Sequence, residues 1–123
     1  MKKAIIFGGS RGIGKSIAES LNSLDVEIIA TSKQDIDTSN LESVRKFSEK
    51  NGNADILVLN TGGPPVIEFN KISEDDWNRY HNQLFVGFCT ILQKISVNDI
   101  EEYAVKYNNV IKEMKIKWSV VKI

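Results

Sequence analysis

The first sixty residues alternate between short apolar runs and stretches in which apolar positions have helical spacing. Residues 4–7 (Ala-Ile-Ile-Phe) form a run that ends at glycines, which is typical of a buried strand in a parallel sheet. The apolar residues that follow recur every three or four positions and predict a helix. They are Ile13, Ile17, Ala18, Leu21 and Leu24.

The same alternation continues to residue 59. Residues 26–30 (Val-Glu-Ile-Ile-Ala) predict a second strand, and residues 55–59 (Asp-Ile-Leu-Val-Leu) predict a third. Between them, Leu41, Val44 and Phe47 mark a short amphipathic helix. A strand–helix–strand–helix–strand order predicts a parallel sheet with right-handed crossovers. We therefore expect an α/β protein with a three-layer, Rossmann-like parallel sheet.

The next segment predicts a turn and then a long helix. Residues 60–65 are rich in Gly and Pro, which indicates a turn. Ser73 and Asp76 approximate a capping box at the start of the helix. Its predicted buried stripe consists of Trp77, Tyr80, Leu84, Phe88, Ile91 and Ile95.

Residues 96–123 predict a further helix and strand. Ser96 or Asn98 can cap the helix, and residues 118–123 form the predicted strand. One helix face carries Ile100, Tyr103, Tyr107, Ile111 and Met114. We interpret residues 1–123 as a single domain.

The net charge argues against some classes of partner, and the lengths of the apolar runs argue against export and membrane insertion. Sixteen basic and sixteen acidic residues give a net charge of zero, which argues against general binding to nucleic acids or to membrane surfaces. The apolar run after Met1-Lys2-Lys3 is too short for an export signal, and none is long enough to span a membrane. We predict a cytoplasmic protein. Cys89, the only cysteine, is predicted to be a small core residue.

Residues 8–14 (Gly-Gly-Ser-Arg-Gly-Ile-Gly) lie between the first predicted strand and helix. A helix N-terminus offers free N–H groups and a partial positive charge, both of which suit a pyrophosphate. Gly8 allows a sharp exit from the strand, Gly12 leaves room for phosphates, and Gly14 allows close helix–strand packing. Ser10, Arg11 and Ile13 complete the predicted dinucleotide site. The alternative is a purely structural turn.

These residues resemble the opening signature of the short-chain dehydrogenase/reductase family. The similarity extends to Asn60-Thr61-Gly62-Gly63-Pro64-Pro65, to Asp37-Thr38-Ser39 and to the helix near Asp76-Trp77, so it covers roughly residues 3–95. Residues 96–123 form an atypical tail. The resemblance implies an NAD(P)-binding domain in which Asp37 meets the adenine amino group. It also implies that Asn60, Thr61 and Gly62 line the adenine side of the site.

The end of the second strand indicates a preference for NADP(H) over NAD(H). NAD-selective folds place an Asp or Glu there, whereas this chain has Thr31-Ser32-Lys33 and no acid before Asp35. Lys33 and Arg11 can flank a 2′-phosphate, and Ser32 can donate a hydrogen bond to it. The alternative is that both cations are merely solvated.

The catalytic residues implied by the resemblance are missing. The family uses a Ser and a Tyr-x-x-x-Lys pair, whereas Tyr80, Tyr103 and Tyr107 have Leu84, Tyr107 and Ile111 four residues later. Leu84 also takes the position of the family's helical Asn, although Asn82 lies nearby. The chain has about half the usual family length, which fits either a frameshifted gene or a replacement ending.

Three functions are compatible with this pattern. The first is an NADP(H)-binding, oxidoreductase-like protein that is catalytically deficient or that requires a partner chain. The second is a small carbonyl reductase that uses non-standard residues such as Tyr80, His81 or Tyr103. The third is a non-enzymatic module for dinucleotide sensing or assembly. The wide apolar stripe further predicts a homodimer formed through the C-terminal helices. No cluster of ligands predicts a metal site.

Overall fold

The computed structural model of the chain describes residues 1–97. The strands are β1 (Lys2–Ile6), β2 (Val26–Ala30), β3 (Asn53–Ala54), β4 (Ile56–Val58) and β5 (Ser96–Val97). The helices are α1 (Gly12–Leu21), α2 (Leu41–Lys50), α3 (Glu74–His81) and α4 (Gly87–Lys94). A 3₁₀ turn lies at Phe69–Lys71 and a π-helical turn at Asn82–Val86.

The strands pair in parallel, with β1 between β2 and β4. Ile5 lies opposite Ile29 on one side and Leu57 on the other. The predicted third strand, residues 55–59, is observed as the shorter β4, and Asp55 just before it accepts a 2.7 Å hydrogen bond from the Lys3 amide with its carboxylate. The short strand β3, which precedes the predicted strand and was not predicted, pairs in parallel with β5. The predicted parallel sheet with flanking helices is confirmed.

The main core lies on the face of the sheet covered by α2 and α4, which pack against each other. The rings of Phe7 and Phe47 meet edge to face, with 5.5 Å between their centroids. Such pairs add to the stabilisation that comes from burial alone. The buried residues of this core are Ile5, Phe7, Ile36, Val44, Ala54, Ile91 and Ile95. Cys89, which was expected in the core, is only half-buried.

Helix α1 packs on the sheet through small residues. Gly14 and Ala18 are its buried positions. A Cβ atom at Gly14 would lie 2.2 Å from the Gly8 carbonyl oxygen, so only glycine permits this approach. Ile13 is 75% exposed and Leu24, beyond the end of the helix, is 58% exposed. The predicted apolar stripe is therefore wrong at both ends.

The predicted long helix is interrupted by the π-helical turn. A π turn takes in an extra residue, so apolar positions before and after it no longer share one face. Ile91 and Ile95 are buried as predicted, whereas Trp77 is 54% and Leu84 is 45% exposed. After the turn, Gly87 approaches the loop before α2 so closely that a Cβ atom would lie 2.3 Å from the Thr38 carbonyl oxygen.

The chain after α4 differs from one expectation. Ser96 belongs to strand β5, so the hypothesis that it caps a helix is wrong. The alternative cap at Asn98, the helix through residues 100–114 and the strand at 118–123 lie outside the described residues. No helix in the described part is long and apolar enough to cross a membrane.

Candidate functional site

A cleft of about 780 Å³ opens at the carboxyl ends of β1, β2 and β4. Open α/β sheets bind ligands at this edge, and binding clefts commonly measure about 300–1,000 Å³. Of the residues predicted to form the site, all but Gly14 line this cleft. They are Gly8, Ser10, Arg11, Gly12, Ile13, Ser32, Lys33, Asp37, Asn60, Thr61 and Gly62. Gly14 lies behind Gly8, where α1 packs on the turn.

The glycine turn between β1 and α1 depends on a backbone shape that side chains disfavour. Gly8 has a φ of 62° and Gly12 a φ of 56°, both in the left-handed region. The Gly9 amide donates a 2.8 Å hydrogen bond to the Thr31 carbonyl at the end of β2. The Asn60 side-chain amide donates to the Gly8 carbonyl at 3.3 Å. The turn is thus fixed to the ends of both neighbouring strands.

The N-terminus of α1 differs from those of α2 and α3. Helix α2 is capped by the side chain of Asn40, and α3 by the predicted capping box of Ser73 and Asp76, which is confirmed. Both also carry acidic residues in their first turn. Arg11, the cap residue of α1, makes no side-chain cap hydrogen bond, and no acid lies in the first turn. The positive end of the α1 dipole therefore faces the cleft without a capping side chain.

The loop after β2 folds on its own hydrogen bonds. The Ser32 hydroxyl donates to the Asp35 carboxylate at 2.8 Å, and the Ser32 amide donates to it at 2.7 Å. These bonds hold the pKa of Asp35 below its ordinary value. Ser32 is thus engaged within the loop. Lys33 is exposed at the rim of the cleft, where Arg11 also lies.

Asp37 lies deeper in the cleft than the two cations. Its Oδ1 atom accepts hydrogen bonds from the Ser39 hydroxyl at 2.6 Å and from the Ser39 amide at 3.0 Å. Partial burial raises the pKa of this carboxyl, but the Ser39 bonds and the charges of Lys33 and Arg79 outweigh it. The pKa consequently lies below its ordinary value, and Asp37 is an anion at neutral pH.

Two polar residues that the helical segment 74–86 contributes to the cleft were missed in the sequence. Gln83, in the π turn, donates from Nε2 to the Gly62 carbonyl and, at 3.4 Å, to the Thr61 hydroxyl. Arg79, on α3, contributes a third cation to the lining. The resemblance to the family pointed to Leu84 and Asn82 as the relevant positions of this helix. The π turn instead places Gln83, the residue between them, at the cleft. Nothing in the apolar pattern indicates that turn.

The three candidates for non-standard catalysis lie in different places. Tyr80 lines the cleft, with the Arg79 guanidinium 5.7 Å from its ring centroid. His81 is exposed on the surface and stacks on Phe85 with 5.5 Å between centroids. Tyr103 lies outside the described residues. Within residues 1–97, no group of three potential ligands can hold a metal ion.

Solved structures of dehydrogenases have the same fold. A short-chain dehydrogenase from Burkholderia cenocepacia in complex with NADP is 24% identical, with a TM-score of 0.66 over 76% of this chain and 49% of that chain. An L-sorbose reductase from Gluconobacter frateurii, complexed with NADPH and L-sorbose, is 22% identical, with a TM-score of 0.60 over 76% and 46%. A small-chain dehydrogenase is 18% identical, with a TM-score of 0.64 over 94% and 78%.

These similarities establish the fold that the described residues adopt. The chain spans about half the length of the Burkholderia and Gluconobacter proteins. No protein-family model matches the chain, and no curated protein matches its sequence.

Proposed function

We propose that the cleft binds a nicotinamide dinucleotide, with its pyrophosphate at the N-terminus of α1. The observation that carries this proposal is the N-terminus of α1, which has no side-chain cap and opens onto the cleft. The turn that leads into it contains two glycines of positive φ, Gly8 and Gly12. Backbone N–H groups and the helix dipole attract an anion there, and the glycines let phosphates approach the backbone. Helices α2 and α3, which begin away from the cleft, are capped by their own side chains, so they lack this capacity.

The proposed adenosine side lies between the loops after β2 and β4. Asp37 accepts both Ser39 hydrogen bonds on Oδ1, which leaves Oδ2 to accept one from an adenine amino group. Asn60, Thr61 and Gly62 form the opposite wall. Solved structures of the same fold are complexes with NADP or NADPH, which supports dinucleotide binding by this chain.

We propose that the cofactor is NADP(H) rather than NAD(H). Lys33 and Arg11 are exposed at the rim and can approach a 2′-phosphate, whereas Asp35, the first acid in sequence after β2, is held by Ser32. A ligand phosphate would compete with Asp35 for the Ser32 hydroxyl. The two cations therefore carry the selectivity in this proposal.

Replacing Lys33 tests the selectivity. We expect Lys33→Ala to weaken NADPH by about tenfold and to leave NADH nearly unchanged, because a charge-assisted contact contributes about 1.5 kcal/mol even at the low end. Lys46→Ala removes an exposed lysine on α2, outside the cleft, and serves as the matched control. Calorimetric titration of both cofactors measures the ratio. Equal losses for NADPH and NADH would disprove the assignment of Lys33.

We further propose that the chain is deficient in carbonyl reduction. Its sequence contains no Tyr-x-x-x-Lys pair to move a proton during hydride transfer. The position of Tyr80 in the cleft favours a small reductase with non-standard residues as the second candidate. Titration of the full chain with NADPH, followed by a screen of carbonyl substrates, tests both. Absence of NADPH binding at millimolar concentration contradicts the proposed function, and turnover that Tyr80→Phe removes establishes the second candidate.

Exposed apolar side chains on α3 and the π turn support self-association. Phe85 is 60% exposed, Trp77 is 54% exposed, and Phe69 packs on Trp77 with 6.1 Å between ring centroids. Patches of this kind mark interfaces, and a two-fold dimer is their commonest solution. We therefore propose that this face joins two copies of the chain.

Light scattering at micromolar concentration tests the dimer. Phe85→Glu is expected to yield monomers, because it places a charge within the interface. Leu24→Glu, at a similarly exposed position beyond α1, should leave the dimer intact. A monomeric wild-type chain would refute the self-association.

A further inference from the structure

Gln83 connects the π turn with the loop that follows β4. Its Nε2 donates to the Thr61 hydroxyl and to the Gly62 carbonyl. The Thr61 hydroxyl in turn lies 3.4 Å from the hydroxyl of Thr38, a buried residue in the loop before α2. Three polar side chains thus form a continuous line from the helical layer to both walls of the proposed adenosine side.

The loop held by Gln83 has little else to fix its shape. Residues 59–68 contain no regular secondary structure. A Cβ atom at Gly62 or Gly63 would meet open space, so no protein atom packs against that side of either residue. Hydrogen bonds to the backbone are then the main constraint on this wall, and Gln83 supplies the one that reaches the Gly62 carbonyl.

The position of Gln83 is itself fixed by the helices. The π turn at Asn82–Val86 directs Gln83 toward the loop, and Gly87 packs against the Thr38 carbonyl immediately after it. The helices therefore contact the adenosine side at two points. One is the set of hydrogen bonds of Gln83, and the other is the close approach of Gly87 to the Thr38 backbone. A regular α-helix in place of the π turn would rotate the residues that follow it, so Gly87 would no longer face the Thr38 carbonyl.

We propose that Gln83 is a positioning residue that holds the Thr61–Gly62 wall against Thr38 and so preforms the adenosine side of the cleft. This inference rests on the proposed dinucleotide binding. A preformed wall raises affinity because the loop need not be ordered when the ligand binds. Gln83 should therefore affect every ligand that contains adenosine, whether or not a 2′-phosphate is present.

The test replaces Gln83 with Met in the full chain, which keeps the length of the side chain but removes both amide donors. We expect the dissociation constants of NADPH, NADH and adenosine 2′,5′-bisphosphate to rise by about tenfold, with the NADPH/NADH ratio unchanged. Lys33→Ala changes that ratio, so the two roles are separable. Gln93→Met, on the exposed surface of α4, is the matched control.

Variants of Thr61 test whether Gln83 acts through the loop. Thr61→Val should reproduce the loss, whereas Thr61→Ser retains the hydroxyl and should lose clearly less affinity than Thr61→Val. Gln83→Met combined with Thr61→Val should weaken binding by less than the product of the single effects, because both changes break one network. Multiplicative effects would overturn the proposed connection.

The melting temperature separates positioning from general stabilisation. We expect Gln83→Met to melt within a degree or two of Gln93→Met, since the residue is only partly buried. A lower melting temperature with unchanged dissociation constants would assign Gln83 a purely structural role and overturn the inference. Wild-type chain that binds none of the three ligands contradicts the proposed function itself, whereas wild-type binding that Gln83→Met leaves unchanged contradicts only the inference.

Discussion

Replacement of Gly12 by Val is expected to abolish NADPH binding while the protein stays folded. Gly12 has a φ of 56°, and an added Cβ atom would meet no protein atom within 4 Å. The added side chain would therefore project into the space that we assign to the pyrophosphate. The left-handed backbone costs a β-branched residue about 1–3 kcal/mol, which a folded domain commonly tolerates.

Calorimetric titration with NADPH measures the loss of binding, and circular dichroism measures whether the variant stays folded. Gly52→Val is the control, since Gly52 also has open space around it but lies away from the cleft. Gly12→Ala should give an intermediate loss. If Gly12→Val binds NADPH with the affinity of the wild type, the pyrophosphate does not lie at this turn.

Replacement of Gly14 by Ala is expected to have the largest effect on stability. The new methyl group would lie 2.2 Å from the Gly8 carbonyl oxygen and 2.9 Å from the Asn60 side-chain amide. Neither partner can retreat easily, because the first is backbone and the second is bonded to it. We expect the free energy of unfolding to fall by about 1–3 kcal/mol, the usual range for overpacking.

Urea denaturation measures this loss as a lower midpoint at a similar slope. Gly52→Ala is the matched control, and it should be neutral or raise stability by about 0.4–1 kcal/mol because it restricts the unfolded chain. Equal midpoints for the two variants would show that α1 can move away from the turn without cost. Such a result would contradict the close packing described for Gly14.

The features that the sequence predicts well depend on neighbouring residues. The capping box of Ser73 and Asp76 involves positions three apart, and the glycine turn spans residues 8–14. The order of the first strands and helices also follows from local periodicity. Parallel pairing then brings the predicted loops to one edge of the sheet, so that all the predicted site residues except Gly14 line one cleft.

The features that were missed depend on contacts distant in sequence. Asp55 was predicted to begin the third strand, but it lies just before β4 and its carboxylate accepts a hydrogen bond from the amide of Lys3, a partner that no local pattern encodes. The π turn directly precedes Gly87, which closely approaches the carbonyl of Thr38, a residue distant in sequence. This turn exposes Leu84, which periodicity had placed in the core, and directs Gln83 to the cleft. Ser96 joined β5 because it lies opposite Asn53, again a long-range pairing.

The short connection between β2 and α2 has a consequence for how the site can be altered. Residues 31–40 hold their own shape through hydrogen bonds of Ser32 to Asp35 and of Ser39 to Asp37, and they are anchored by Ile36, which is 4% exposed. Lys33, one of the two cations to which we assign the 2′-phosphate, and Asp37, to which we assign the adenine amino group, both belong to this segment. Under the proposed function, an exchange of side chains at the exposed positions of this loop can therefore shift the cofactor preference without replacing any residue of the sheet strands.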